Sequence, residues 1–225
     1  MNVWKKQSIG LSMHHLSSKI RSYLQFEKQK GVVGYLLSSS AFVSNSLDEL
    51  AEQVAACKKC SLCQTRTQTV FSDGDSKARL MFVGEAPGQD EDLQGKPFVG
   101  RAGQLLTKII EAMHLKRSDV YIANVLKCRP PNNRSPHLEE IQHCSPYLFQ
   151  QIQMVQPEMI CALGTFAAQT ILKTDRRIGE LRGKFYDYQG IAVLATYHPS
   201  YLLRNPEAKR DVWQDMQKIM KKMGI

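Results

Sequence analysis

The chain has 225 residues, 43% of them hydrophobic, and a formal net charge of +9. That length allows one sizeable core plus an appendage, and no apolar run approaches the roughly 20 residues a membrane-spanning helix needs, so a membrane partner is not expected. The charge is uneven: residues 1–45 carry six Lys/Arg against one acid, Glu27, so +5 lies there and the remainder is only mildly basic. Six cysteines without a secretory leader point to metal or redox chemistry rather than a disulfide framework.

Residues 1–45 read as a basic extension and residues 46–225 as the main domain. The extension's first thirty residues are Ser- and Lys-rich and acid-poor. They fit an organellar transit segment and a basic helix with Leu16, Ile20, Tyr23 and Leu24 on one side equally well; otherwise a cytoplasmic location is expected. Residues 31–45 read as a linker. Ser46 and Glu49 form an S-x-x-E capping box that starts a helix running to about Ala56, directly before Cys57, Cys60 and Cys63.

The stretch from Arg79 to Leu106 organises the chain. Leu80–Val83 reads as a buried strand, which Gly84, Pro87 and Gly88 bring to a turn. Four acids (Glu85, Asp90, Glu91, Asp92) crowd into the following loop. After Arg101 the apolar residues Leu105, Leu106, Ile109, Ile110 and Met113 recur at helical spacing. The loop matches neither G-x-G-x-x-G nor G-x-x-x-x-G-K-[ST], and its carboxylates would repel a polyphosphate, so it suits proton or water chemistry better than a nucleotide cradle.

Tyr121–Lys127 reads as a second strand, with Asn124 in its middle. It ends at Cys128 and the stiff loop Arg129–Pro136. Ser135 and Pro136 are expected to cap a helix over about 137–155, which carries Cys144. Met159–Gly164 reads as a third strand and Thr165–Leu172 as its helix. Residues 184–188 and 191–196 suggest a hairpin-like excursion that returns into a last central strand, delivering Tyr197-His198-Pro199-Ser200 into a loop. A helix from about Glu207 to Met220 closes the chain. This alternation predicts an α/β fold: a three-layer α/β/α sandwich on a mostly parallel four-stranded central sheet.

Cys57 and Cys60 form a C-x2-C pair; Cys128 falls at a strand end and Cys144 on the following helix. Four such thiolates suit structural zinc or an iron–sulfur cluster, and their spacing does not choose between the two. Cys63 competes for a ligand place. Cys161, inside an apolar strand, reads as a small buried hydrophobe.

Taken together, CKKCSLCQTRTQTVF, GEAPGQDED, GKPFVGRAGQLL, YIANVLKCRPPNNRSP and YHPSYLLRNP resemble family 4 uracil-DNA glycosylases, the iron–sulfur branch of that superfamily, over about residues 46–220. The resemblance implies a [4Fe–4S] cluster on Cys57, Cys60, Cys128 and Cys144 with a structural role. It implies a uracil pocket in which Phe98 stacks on the flipped base and Asn124 reads it, one amide offering both a donor and an acceptor. Glu85 and Ala86 form the loop floor, and His198 lies near uracil O2. Among the acids, Glu91 is the better candidate to orient the attacking water or stabilise the sugar cation, with Glu85 second. Leu202 is the expected wedge into the base stack, and Arg129, Arg134, Arg204 and Ser200 the expected phosphate contacts.

The implied activity is hydrolytic release of uracil from single- or double-stranded DNA, leaving an abasic site, by a monomeric DNA-repair enzyme in the cytoplasm at the nucleoid. No lysine stands among the candidate site residues to form a Schiff base, so lyase activity is not expected. Two alternatives stand beside it. One is a non-catalytic nucleic-acid-binding homologue; the other is a branch that traps the abasic sugar covalently, whose basic, histidine-containing insert has no counterpart in residues 93–101.

Overall fold

The computed structural model describes Ser44 and residues 46–225. The expectations for residues 1–43, whether targeting segment, basic helix or linker, lie outside the described residues. Helix α1 spans Leu47–Ala55, and its N-cap is Ser46, whose hydroxyl accepts the Glu49 N–H at 3.2 Å as the S-x-x-E pattern predicts. Next come a 3₁₀ turn (Ser61–Gln64), β1 (Asp73–Gly74), β2 (Leu80–Gly84), α2 (Gln89–Gln94), α3 (Arg101–Ala112) and β3 (Tyr121–Asn124). The second half comprises α4 (Leu138–Val155), β4 (Met159–Leu163), α5 (Thr165–Leu172), α6 (Ile178–Leu181), β5 (Phe185–Tyr188), β6 (Ile191–Thr196), α7 (Pro199–Arg204) and α8 (Lys209–Met223). Among the described residues no helix is long and apolar enough to cross a membrane.

The sheet is mixed and six-stranded, in the order β1-β3-β2-β4-β6-β5, which corrects the expected four strands. The four inner strands are parallel, as expected; β1 and β5 are added antiparallel at the two edges. β1 is only two residues long and carries no alternation that a sequence could show. β5 is the outer half of the expected hairpin and pairs fully with β6.

Both faces of the inner strands are buried, which is why they read as continuous apolar runs. Met81, Val83, Ala123 and Ile160 point to one side, where α1, α4 and α5 supply Leu50, Val54, Leu148, Ile152 and Ile171. Leu80, Phe82, Ile122 and Met159 point to the other, where α3 and α8 supply Leu106, Ile110, Val212, Met216 and Ile219. Cys161 belongs to this second core, fully buried and on the opposite face from the other cysteines. Three layers follow directly.

The chain leaves β2 for β3 on one side and reaches β4 on its other side after α4. The carboxyl end of β2 is therefore a topological switch point, where an open parallel sheet leaves a crevice. β3 is shorter than expected and stops at Asn124, although Val125 and Leu126 still donate to the carbonyls of Gly84 and Glu85 at 3.0 Å each. Asn124 is thus a strand-end residue facing that crevice, not a mid-strand one. α4 begins one residue later than expected. Its N-cap is His137, whose N–H donates to Glu140 at 2.8 Å, so Ser135 does not cap it.

Candidate active site

A cleft of about 420 Å³ opens at the switch point. Glu85, Ala86, Phe98, Asn124, His198, Ser200 and Arg134, all singled out in the sequence, line it together. They arrive from the exits of three parallel inner strands: β2 gives the 85–100 loop, its neighbour β3 ends at Asn124, and β6, beyond β4, delivers His198.

Glycines allow the approach. Gly84 and Asn124 are register partners across β2 and β3, and a Cβ at position 84 would collide with both the Asn124 carboxamide oxygen and the Phe98 ring. Phe98 is held in a left-handed backbone (φ 54°). Arg117 fixes it there by donating to its carbonyl at 3.1 Å, and Gly103 lets α3 pass against the same backbone. The Phe98 ring is nearly buried and stands 5.5 Å, centroid to centroid, from the His198 imidazole. Gly164, at φ +90°, makes room on the other side for the His198 Cβ.

Asn124 is 2% exposed, and its carboxamide oxygen is buried without a hydrogen-bond partner. An orphan acceptor of this kind costs about 1–3 kcal/mol, and it sits in the wall of a cleft. His198 Nδ1 accepts the Ser200 backbone N–H at 3.2 Å and lies 2.8 Å from the Ser200 hydroxyl. Burial, with the Arg204 charge second, lowers its pKa to about 4. The ring is therefore neutral near pH 7, and with Nδ1 accepting, its proton resides on Nε2. Burial pushes the Glu85 carboxyl up to about 7, so both of its forms are populated near neutrality.

Two of the expected site residues are tied into the fold. Glu91 carries a structural load instead of a free carboxylate: one oxygen accepts the N–H groups of Val99 and Gly100 at 2.8 and 2.9 Å, the other that of Gly88 at 3.1 Å. These three bonds brace the loop, and Glu91 also lines the cleft. Asp92 does similar work, accepting from Thr67 N at 3.0 Å. Leu202 is 1% exposed and packed in the core, so it does not stand out as a wedge; the exposed apolar side chains of that turn are Tyr201 and Leu203.

The cations divide similarly. Arg204 is exposed at the turn after His198. Arg129 donates to Asn133 at 2.7 Å, and neither it nor Arg204 lines the cleft. Arg134 does, but its guanidinium is paired with the buried Glu140 at 2.6 Å.

Beside the cleft, on the α1/α4 side of the sheet, Cys57, Cys60, Cys63, Cys128 and Cys144 line a single small cavity. Arg66, which the sequence reading did not pick out, donates to Cys128 Sγ at 3.0 Å, and the Lys127 backbone N–H donates to Cys144 Sγ at 3.2 Å. Burial pushes the Cys144 thiol up to about 12, so its thiolate form requires a bound cation. Among the described residues, no three His, Cys, Asp or Glu side chains converge as ligands of a single ion.

Residues 71–217 match the model of the uracil DNA glycosylase superfamily. The chain is 44% identical over 182 residues to a type-4 uracil-DNA glycosylase of Archaeoglobus fulgidus, covering 77% of this chain and 92% of that one. The type-4 enzyme of Sulfurisphaera tokodaii is 46% identical over 78% of this chain and 84% of its own length, and that of Thermotoga maritima 44% identical over 76% and 92%. This chain belongs to the uracil-DNA glycosylase superfamily, in its type-4 family.

Proposed function

We propose that this protein is a monofunctional uracil-DNA glycosylase of base excision repair, working through Asn124, His198, Phe98 and Glu85. The observation that carries this reading is the orphan Asn124 carboxamide oxygen at the crevice wall. Uracil offers the complementary pair: N3–H donates to that oxygen, and O4 accepts from the Asn124 amide. Phe98 stacks on the flipped ring. The backbone of Glu85 and Ala86 floors the pocket.

The glycosidic bond breaks with its electron pair moving to the base, which leaves as an anion with charge on O2. The neutral His198 Nε2–H is a donor for that oxygen, acting only as charge develops. The cation left on the sugar is stabilised by the Glu85 carboxylate, which also accepts a proton from the water that attacks C1′. The proton taken by Glu85 is released and the uracil anion is protonated, so the products are uracil and an abasic site. Extrusion of the nucleotide requires phosphate contacts, for which Arg204, Arg129 and Ser200 are the candidates. Filling the vacated stack falls to an exposed apolar side chain of α7, Tyr201 or Leu203.

Cys57, Cys60, Cys128 and Cys144 would hold the family's [4Fe–4S] cluster. N–H donors on two of the sulfurs, and five cysteines lining one cavity, suit such a group. Its chemistry there is cross-linking: it ties α1 and the 3₁₀ turn to the exit of β3 and to α4. No redox step is assigned to it.

The test is direct. Uracil-containing oligonucleotides, single- and double-stranded, and thymine-matched controls are incubated with the protein, and abasic sites are then cleaved with alkali. Cleavage only at uracil, dependent on alkali, is expected. No uracil-dependent cleavage would leave the non-catalytic binding reading, and a protein–DNA adduct surviving denaturation would favour covalent trapping.

A further inference from the structure

Lys127 is 1% exposed, among the largest fully buried side chains, and the reaction described above makes no use of it. Its ammonium donates to the Asn124 carbonyl at 2.7 Å, to Gln151 Oε1 at 2.5 Å and to the Phe71 carbonyl at 3.4 Å. Among the described residues no carboxylate is paired with it. Gln151 is held in turn by donating to Phe71 O at 3.1 Å and to the Tyr121 hydroxyl at 3.0 Å. A buried ammonium among neutral acceptors is expensive, and an apolar side chain of the same length would be cheaper. What the charge achieves is visible in its partners.

The main chain of Lys127 reaches the other way. Its N–H donates to Cys144 Sγ at 3.2 Å, its carbonyl accepts from Val70 N at 2.8 Å, and the next residue is Cys128. One residue therefore grips the backbone of Asn124 with its side chain and a thiol of the cysteine cavity with its peptide. The carboxamide of Asn124 hangs on the peptide whose carbonyl this ammonium fixes.

We propose that Lys127 is a positioning residue for base recognition: its ammonium clamps the Asn124 carbonyl, aims the carboxamide at the base, and couples the reading edge of the pocket to the Cys144 side of the thiol cavity. This rests on the assignment of Asn124 as the uracil reader. Because the Lys127 side chain holds Asn124 and its peptide N–H holds Cys144, the reading edge and the thiol site form one mechanical unit.

The test uses anaerobically purified, fully loaded protein and the Lys127→Met variant, which keeps the length of the side chain and removes charge and donors. Three quantities are compared: inhibition by free uracil, affinity for abasic-site DNA, and the visible absorbance with iron content. A hydrogen bond to a charged group is worth about tenfold to a hundredfold in an equilibrium. The expected result is that free-uracil affinity and single-turnover excision both fall by about tenfold or more, while abasic-DNA affinity and iron content stay within twofold. Gln151→Met, which retains the ammonium but removes its closest acceptor, should show a smaller loss of uracil affinity, and serves if Lys127→Met does not fold. Unchanged uracil affinity in whichever of these variants folds would overturn the proposal, as would a loss confined to iron content and stability. Failure of the uracil reading itself would show differently: the unaltered protein would then neither bind nor release uracil.

Discussion

Gly84 and Asn124 are register partners at the ends of β2 and β3, and the missing side chain at 84 is the space that the Asn124 carboxamide and the Phe98 ring occupy. Gly84→Ala should leave the sheet intact, since residue 84 has ordinary extended backbone, but it must displace one or both pocket groups. A displacement near 1 Å in such a site can cost on the order of 10²-fold in rate. Single-turnover excision at saturating enzyme, alongside a melting curve, checks this: a lowered rate at a near-normal Tm is expected.

His198 is expected to act on the transition state and not on DNA affinity. His198→Ala should lower the single-turnover rate by about 10²–10³-fold, the range for one oxyanion donor, with duplex affinity nearly unchanged. Its pKa of about 4 against an ordinary 6.5 also has a sign. Between those values the unfolded chain binds the proton and the folded one does not, so this group's contribution to stability is complete above about 6.5 and is lost as pH falls toward 4. His198→Ala should flatten that part of the stability profile in acid.

Glu85 runs the opposite way. Its folded pKa of about 7 exceeds the ordinary 4.5, so the folded state holds the proton more tightly and the contribution to stability declines as pH rises from about 4.5 through 7. Glu85→Gln should therefore raise Tm more at pH 8 than at pH 5. If the carboxylate form stabilises the sugar cation, wild-type single-turnover rates should rise through pH 7 and those of Glu85→Gln should be lower and flat. The same slope in both proteins would remove Glu85 from the chemistry.

For the thiol site, a cubane cluster requires about four irons and four sulfides per chain. Iron and acid-labile sulfide analysis of anaerobically purified protein should give that stoichiometry. Cys128→Ala and Cys144→Ala should lose it together with broad stability. Cys63 lines the same cavity, so Cys63→Ala decides whether it is a ligand: retained visible absorbance is expected, and bleaching would place it in the set.

The strand–loop–helix at residues 80–112 was legible because apolar runs, glycines and prolines carry it locally, and the thiol and pocket residues because long motifs fix them in order. What stayed hidden depends on contacts distant in sequence. α2 is six residues of mostly polar sequence, made helical by Glu91 capping its own loop; the chain shows four acids there and nothing to say that two of them, Glu91 and Asp92, are spent on backbone N–H groups. Leu202 and Leu203 are adjacent and alike, and only packing against α3 and α8 decides which is buried. Arg134 reads as a free cation until Glu140, six residues on, is seen to neutralise it. Lys127 reads only as the last residue of a strand, and only the fold shows it fully enclosed.

The most direct measurement of base reading is excision by Asn124→Asp on matched oligonucleotides carrying uracil, cytosine or thymine. The substitution keeps shape and the buried acceptor but turns the amide donor into a second acceptor. Uracil O4 then faces an oxygen, while the cytosine amino group gains a partner. A mismatched buried polar pair costs roughly 1–3 kcal/mol, enough to lower the rate by about ten- to a hundredfold. The expected result is loss of most uracil excision, slight but detectable release of cytosine, and none of thymine. A folded Asn124→Asp protein that excises uracil at near the wild-type rate would contradict this, leaving Asn124 a structural residue and the base read by other groups.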